Sequence, residues 1–416
     1  MPAPNTLGID FGTSNSAVGI AVNGKPWLIE VEPGQTTLPT AVFFDPASRS
    51  MRVGRRATDA LITGEEGRFM RALKSLLGTP LLREKRRIHG EELTFVDIIA
   101  RFLAHLKTQA ETATHHRFTH ALSGRPVVFH SKDPARNAQA EIDLKDCYLK
   151  AGFEDVRFLF EPEAALRSTA PEPGLGLIVD IGGGTSDYTV FRPVGTETPQ
   201  VLTSHGIRLG GTDFDRQLSL EYVMPLLGRG SRIRNTFGAD SLPTPNRIYN
   251  DLATWQMIPF LYTQENRRLA REMAQSAEEP EKLNRLVNVL EDMLGHDLAF
   301  AVERGKIHAN QPDHPNPQIN LSILERGLSV PMRAAELNKA LSALVEEILH
   351  HAALTLEQVN LRPETVDRIV LVGGSSLLGT IEAGMQQLCP NARIHKSNAM
   401  TAVADGLALA AETAFA

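Results

Sequence analysis

Leu7, Ile9 and Phe11 alternate with polar or small neighbours, Gly12-Thr13-Ser14-Asn15 interrupts them, and Val18, Ile20 and Val22 resume the alternation. This period-two pattern predicts a β-hairpin over 6–22. The same grammar returns in Leu177-Ile178-Val179-Asp180, in Gly182-Gly183-Gly184-Thr185-Ser186-Asp187, and in the apolar run Tyr188-Thr189-Val190-Phe191. The aspartates before the two turns, Asp10 and Asp180, stand 170 residues apart, which predicts two similar halves with one turn on each wall of a cleft. Further strands are expected at Leu122–Phe129, broken over Ser123–Pro126, and at Ile369–Val372. Amphipathic helices are expected at Val96–Ala110, Leu283–Lys306 and Ala335–Leu356. Such a mixture predicts α/β halves, each built on its own sheet. The stretch 228–250, rich in Gly, Pro, Asn and Arg, reads as an irregular excursion, and Asn310–Gln318, with three prolines, as a surface turn.

Composition narrows the class. With 416 residues, 42% hydrophobic and 22% charged, the chain is long enough for two or three domains with substantial cores. Lys and Arg number 43 against 49 Asp and Glu, a net charge of −6 that argues against a nucleic-acid or acidic-membrane partner. Met1-Pro2-Ala3-Pro4-Asn5-Thr6 has neither the basic nor the apolar region of a signal peptide, and no stretch reaches the roughly 18 apolar residues of a membrane span. A cytoplasmic address is therefore expected. Cys147 and Cys389 are too few and too far apart for a disulfide framework or a thiolate metal site, and are expected to be buried small residues.

Candidate chemistry sits in the turns. Gly8–Ser16 places backbone N–H groups of a tight turn beside Asp10, a pattern suited to phosphate oxygens and a hydrated Mg²⁺ ion, although alone it serves equally as a hairpin loop. Ile181–Asp187 repeats the pattern with three glycines and with Asp180 and Asp187 on either side. Facing each other, two such loops would cradle phosphates from both sides and bridge them through a metal. Gly19 to Lys25 has P-loop spacing, but Pro26 replaces the metal-binding hydroxyl and the run lies in a hairpin, so it is read as a turn. Gly373-Gly374-Ser375-Ser376 follows an apolar strand and fits either a ligand loop or a plain strand-to-helix turn. Glu303 and Lys306, three apart, fit a surface ion pair as well as ribose hydroxyls. Arg55-Arg56 and Arg83–Arg87 read as a solvated basic face. The 13 histidines show no zinc-ligand spacing, and no Gly-x-Ser-x-Gly elbow is present.

In order along the chain, these motifs resemble the nucleotide-binding domain of the DnaK-type, seventy-kilodalton heat-shock family in the actin-like ATPase superfamily, nearest its YegD-like branch. Gly8–Ser16 is similar to that family's first phosphate loop, Leu177–Val190 to its second, and His205–Asp215 to its Leu-Gly-Gly-x-Asp-Phe-Asp segment. Arg71–Gly78 resembles the segment carrying the catalytic lysine, here Lys74; Arg125-Pro126 and Phe160-Glu161-Pro162 resemble its proline switch and Glu-Pro pair. Ala301–Ile307 is similar to the ribose-binding helix, Val372–Ser376 to the adenine-side loop, and Ala402–Gly406 to the closing helix.

The resemblance implies a bilobal, ribonuclease H-like fold with two duplicated α/β halves around a nucleotide cleft. It implies subdomain IA over 1–37, 108–172 and 397–416, IB over 38–107, IIA over 173–218 and 332–396, and IIB over 219–331. Lys74, Glu161, Asp180 and Thr185 would be catalytic. ATP or ADP would contact Gly12, Thr13, Ser14, Asn15, Gly182, Gly183, Gly184, Thr185, Gly210, Gly211, Glu303, Lys306, Gly373, Gly374 and Ser375. Asp10, Asp180 and Asp187 would hold Mg²⁺ through water. Leu377 stands where the family stacks an arginine on adenine, and the resemblance puts the family's interdomain-coupling arginine at Arg136. With the chain ending at Ala416, no peptide-binding domain is expected. The implied function is a slow Mg-dependent ATPase switch, monomeric, acting on a protein partner or unfolded client; a sugar-type kinase and a filament-forming ATPase are the alternatives.

Overall fold

A computed structural model describes residues 5–169, 172–193, 199–234, 241–396 and 401–415. Parts of five expected segments lie outside these residues: 1–4 at the start of IA, 170–171 in its second piece, 194–198 in IIA, 235–240 within the irregular stretch, and 397–400 with 416 in the last piece of IA. The chain divides into two compact units, Met1–Gly211 with Val345–Ala416, and Thr212–Leu344.

The first unit holds two sheets of matching topology. In the first, Thr6–Phe11 (β1), Asn15–Val22 (β2), Lys25–Leu28 (β3), His120–Arg125 (β4) and Asp155–Phe160 (β5) lie in the order β5-β4-β1-β2-β3, with Thr37–Pro39 paired to β2. In the second, Gly176–Ile181 (β6), Ser186–Arg192 (β7), Gln200–Ile207 (β8), Arg368–Val372 (β9) and Arg393–Lys396 (β10) follow the order β8-β7-β6-β9-β10. Each sheet begins with an antiparallel hairpin and ends with two strands added in parallel on the far side of its first strand. Asp10 pairs with Ala17, and Asp180 with Asp187, at the same level of the two hairpins. The central strands β6 and β9 are buried along their whole length, which is why they read as continuous apolar runs rather than as alternation.

Three helices bear on the site: Phe95–Thr114 (α1), opened by a Thr94–Asp97 capping box, Pro134–Lys150 (α2) and Glu161–Ser168 (α3). The segment after β10 supplies Ala402–Ala411 (α4). Helices α3 and α4 follow the last strands of their respective halves and cross in direct contact: a Cβ on Gly406 would overlap the Ala164 carbonyl, and one on Gly8 would lie 2.7 Å from the Leu407 carbonyl carbon. Ala164, Ala165, Val403 and Leu407 share one core with Leu122 of the first sheet and Ile178 and Val370 of the second. Small residues permit this approach, and the approach sets the spacing of the two hairpins.

Two expected elements differ. The strand expected over Leu122–Phe129 runs instead over His120–Arg125, straight through Ser123 and Gly124. Ser123 is tolerated because its buried hydroxyl accepts from Tyr148 (2.8 Å), while Pro126, lacking an N–H, ends the ladder. The long helix expected over Leu283–Lys306 is two helices, Pro280–Glu291 and Gly295–Ala309, separated at Met293, whose φ of 55° cannot continue an α-helix. The other two helices occur, as Phe95–Thr114 and Ala334–Glu357, and both cysteines are buried. Gly19–Lys25 lies in the β2–β3 hairpin, as its turn reading predicts.

The second unit is mostly helical, with Gln264–Ser276, Pro280–Glu291 and Gly295–Ala309, and its buried residues include Trp255, Ile258, Leu286, Leu298 and Val302. The proline-bearing segment after Ala309 leads into a short hairpin, Gln318–Asn320 with Ser329–Pro331.

Candidate functional site

The turns of the two hairpins line one open cleft of about 100 Å³ within the first unit, together with Lys74, Glu161 and the loop after β9. Close backbone approach explains the glycines. A Cβ on Gly183 would meet Ser14 Oγ at 2.7 Å and Thr13 Cβ at 3.0 Å, so the turns touch across the cleft. Gly210 packs on the Gly182–Gly184 backbone, leaving 2.7 Å between its would-be Cβ and Gly184 N, and Gly211 N donates to Gly182 O (2.9 Å). Gly373 has a φ of 80° and sits against Ile181 O and Asp180, where a side chain would be excluded on both counts. Gly374 and Ser375 begin a 3₁₀ turn, Gly374–Leu377; Gly374 lines the cleft, Ser375 Oγ lies beside Gly211, and Leu377 is exposed.

Carboxylates gather at the floor. Asp180 and Asp187 are 5% and 1% exposed, and Asp10 and Asp180 line the cleft with Glu161. Lys74 Nζ donates to Glu161 Oε1 at 2.5 Å. Burial, reinforced by repulsion from Glu161, raises Asp10 to about 7 and Asp187 to about 8, and lifts Asp180 well above the usual carboxylate range. The Lys74 charge opposes all three shifts, and Asp187 is also held by Val127 N (2.7 Å) and the Thr185 hydroxyl. Four carboxylates around one ammonium favour a bound cation, and an all-oxygen donor set suits a hard divalent ion such as Mg²⁺. Among the described residues no group of three His, Cys, Asp or Glu side chains is arranged to hold a metal directly. An ion such as Mg²⁺, which keeps much of its hydration shell, would be held by these carboxylates through water.

Tertiary packing thus brings together Asp10, Gly12, Thr13, Ser14, Asn15, Lys74, Glu161, Asp180, Gly182, Gly183, Thr185, Gly373 and Gly374. Gly184 borders an adjoining small cavity with Thr13, Lys74, Thr185, His130 and Arg208. Glu303 and Lys306 belong to the second unit. There Lys306 Nζ pairs with Asp215 Oδ1 at 2.7 Å, and Trp255 Nε1 donates to Asp215 Oδ2 (3.3 Å). Burial raises the Asp215 pKa even though Lys306 and the Trp255 N–H oppose the shift. Pro126 follows Arg125, whose guanidinium stacks on Phe129 and Phe160 and donates to the carbonyls of Pro126 and Val127. Arg136, on the first turn of α2, donates to Gly78 O (3.3 Å).

Sequence reasoning assigned no role to Asp215, Trp255, His130 or Arg208. A signal existed for two of them, since Arg208 directly precedes, and Asp215 closes, the Leu-Gly-Gly-x-Asp-Phe-Asp segment. Nothing local marks His130 or Trp255.

The sequence profile of the family described as Hsp70 protein matches residues 6–86, 82–235 and 273–414. The chaperone protein DnaK of Endomicrobium trichonymphae is 28% identical over 386 residues, covering 90% of this chain and 52% of its own length. That of Mesomycoplasma hyopneumoniae is 35% identical over 218 residues, covering 51% of this chain and 34% of its own. The chain therefore spans about half the length, or less, of these curated relatives.

Proposed function

The chain belongs to the Hsp70 protein family, and from that premise we propose that it is a Mg-dependent, slowly ATP-hydrolysing switch that acts on a protein partner or unfolded client in the cytoplasm. Its duplicated α/β halves are those of the actin-like ATPase fold. One observation carries the reading: two glycine-rich turns touch across a cleft, and carboxylates of both hairpins, Asp10 from one and the buried Asp180 and Asp187 from the other, gather at its floor. Backbone N–H groups of Gly12–Asn15 and Gly182–Thr185 would bind the β- and γ-phosphates from opposite walls. Gly373 and Gly374 would let the adenosine approach the main chain, while Glu303 and Lys306 would take the ribose. Leu377 offers adenine apolar contact where an arginine would stack, which lowers affinity.

Asp10, Asp180 and Asp187 would hold Mg²⁺ through water, and the ion would neutralise phosphate charge. Lys74 would orient the attacking water and offset charge on the γ-phosphate. Glu161 fixes the Lys74 ammonium, and Asp180 with Thr185 would complete the water's hydrogen bonds. Opening and closing of the cleft would present different surfaces to the partner.

The test is single-turnover hydrolysis of Mg-ATP by the purified chain, without any added small molecule, beside Lys74→Ala. Slow hydrolysis that disappears in the variant supports the reading. Turnover only with an added small-molecule acceptor would overturn it in favour of a kinase.

A further inference from the structure

Lys74 rides on a tight 3₁₀ turn, Leu73–Leu76, that depends on outside support. Ala72, which precedes it, takes a left-handed φ of 58°, and Gly78, which follows it, has a φ of 72°. The carbonyls of Ser75, Leu77 and Gly78 are each taken by a side chain from elsewhere in the fold. Arg208 Nη2 donates to Ser75 O (3.1 Å), His130 Nε2 to Leu77 O (2.8 Å), and Arg136 Nε to Gly78 O (3.3 Å). The first two supports are joined. His130 spends its Nε2 proton on Leu77, which leaves Nδ1 as an acceptor, and Arg208 Nη1 donates to that nitrogen at 2.5 Å. His130 is 6% exposed, and burial lowers its pKa, consistent with the neutral ring this arrangement requires.

We propose that Arg208 is a positioning residue for Lys74, a clamp from the second half of the fold that holds the lysine-bearing turn of the first half through Ser75 O and His130. Arg208 follows β8, one residue after its end, and lies two residues before Gly210, which packs on the Gly182–Gly184 turn. One side chain therefore ties the turn carrying Lys74 to the loop lying on the second phosphate turn. Its fork geometry matters: two donors in fixed relation reach a carbonyl and an imidazole together, which a lysine cannot reproduce. When the halves separate, both contacts break and Lys74 loses its fixed place. Hydrolysis is thereby confined to the closed arrangement.

The proposal takes from the preceding reading only that Lys74 acts in hydrolysis, and two independent measurements keep it falsifiable. Amide hydrogen exchange on the full chain tests the clamp without activity. In Arg208→Ala and Arg208→Lys, the amides of Ser75, Leu77 and Thr79 exchange at least about tenfold faster than in the wild type, while α3 and α4 are unchanged. Unaltered exchange at these amides overturns the clamp, whatever Lys74 does. Single-turnover kinetics supply the second measurement. Arg208→Ala lowers the hydrolysis step by about 10- to 100-fold with ADP affinity within twofold of wild type. The double variant Lys74→Ala/Arg208→Ala is then no slower than Lys74→Ala alone, because Arg208 acts through the lysine. Additive losses would overturn the proposal and assign Arg208 to direct phosphate contact. His130→Gln, whose amide can accept from Arg208 and donate to Leu77, retains most activity, whereas His130→Ala behaves as Arg208→Ala. If Lys74→Ala hydrolyses ATP at the wild-type rate, the catalytic reading fails and the exchange result alone decides the clamp.

Discussion

Lys74 Nζ and Glu161 Oε1 lie 2.5 Å apart, although 87 residues separate them in the chain, and their side chains are only 8% and 13% exposed. The lysine comes from an insertion between β3 and β4, and the glutamate is the first residue of α3. The pair therefore links a peripheral turn to a helix that sets the spacing of the two halves.

Removing one member is expected to cost more than removing both. Lys74→Ala leaves Glu161 uncompensated beside Asp10 and Asp180, and breaking a buried pair this way costs about 3–5 kcal/mol. Lys74→Met/Glu161→Gln should recover most of that loss in urea unfolding of the nucleotide-free protein. Each single variant should also reduce single-turnover hydrolysis by about 10²- to 10³-fold. A double variant less stable than Lys74→Ala would contradict the electrostatic account.

Stability without metal should fall as pH rises. Asp10 at about 7 and Asp187 at about 8 hold protons in the folded state at pH values where the unfolded chain, with carboxyls near 3.8, has released them. The folded state thus binds more protons between roughly pH 4 and pH 8, and stability declines through that window. Mg²⁺ replaces those protons as the compensating charge. The rise in Tm on adding Mg²⁺ should therefore be larger at pH 8 than at pH 5, measured by scanning calorimetry. A Tm independent of pH from 5 to 8 in chelator would refute this.

Gly183→Ala should block the phosphate turns while sparing the fold. The new Cβ would stand 2.7 Å from Ser14 Oγ, forcing the two turns apart where they now touch. ATP affinity by calorimetry is expected to drop at least about tenfold, with an unchanged far-UV spectrum. Wild-type affinity would show that this contact does not shape the site.

Asp215→Asn removes the charge that holds Lys306 and alters the partner of Trp255. Trp255 is 2% exposed and the other tryptophan, Trp27, is 44% exposed, so a change in blue-shifted emission reports on Trp255 alone. We expect that emission to shift, and ATP affinity to weaken by roughly tenfold, the worth of one charged contact of about 1.4 kcal/mol. An altered spectrum with unaltered affinity would detach Lys306 from nucleotide binding.

What the sequence determined by itself was local and periodic. Alternation at Leu7 to Phe11 and Val18 to Val22 predicts the first hairpin because successive strand residues face opposite sides, and the same order of apolar run, aspartate, glycine-bearing turn and apolar run at Leu177 to Phe191 reveals the duplication. The cleft residues on the two hairpin turns were legible because glycines and carboxylates cluster within those turns. Lys74 was legible only by family resemblance, since its segment carries no period or spacing that points to chemistry. Boundaries misread from the sequence had causes that hydrophobic periodicity does not carry. Ser123 continues a strand because Tyr148, 25 residues away, satisfies its hydroxyl, and the break at Met293 rests on a single left-handed φ that periodicity does not register. Tertiary structure alone decided which distant groups meet: Lys74 with Glu161, Arg208 with the carbonyl of Ser75 133 residues earlier, and Gly406 with Ala164. Those meetings depend on how α3 and α4 pack between the sheets, and close packing is a property of the assembled core rather than of any window of sequence.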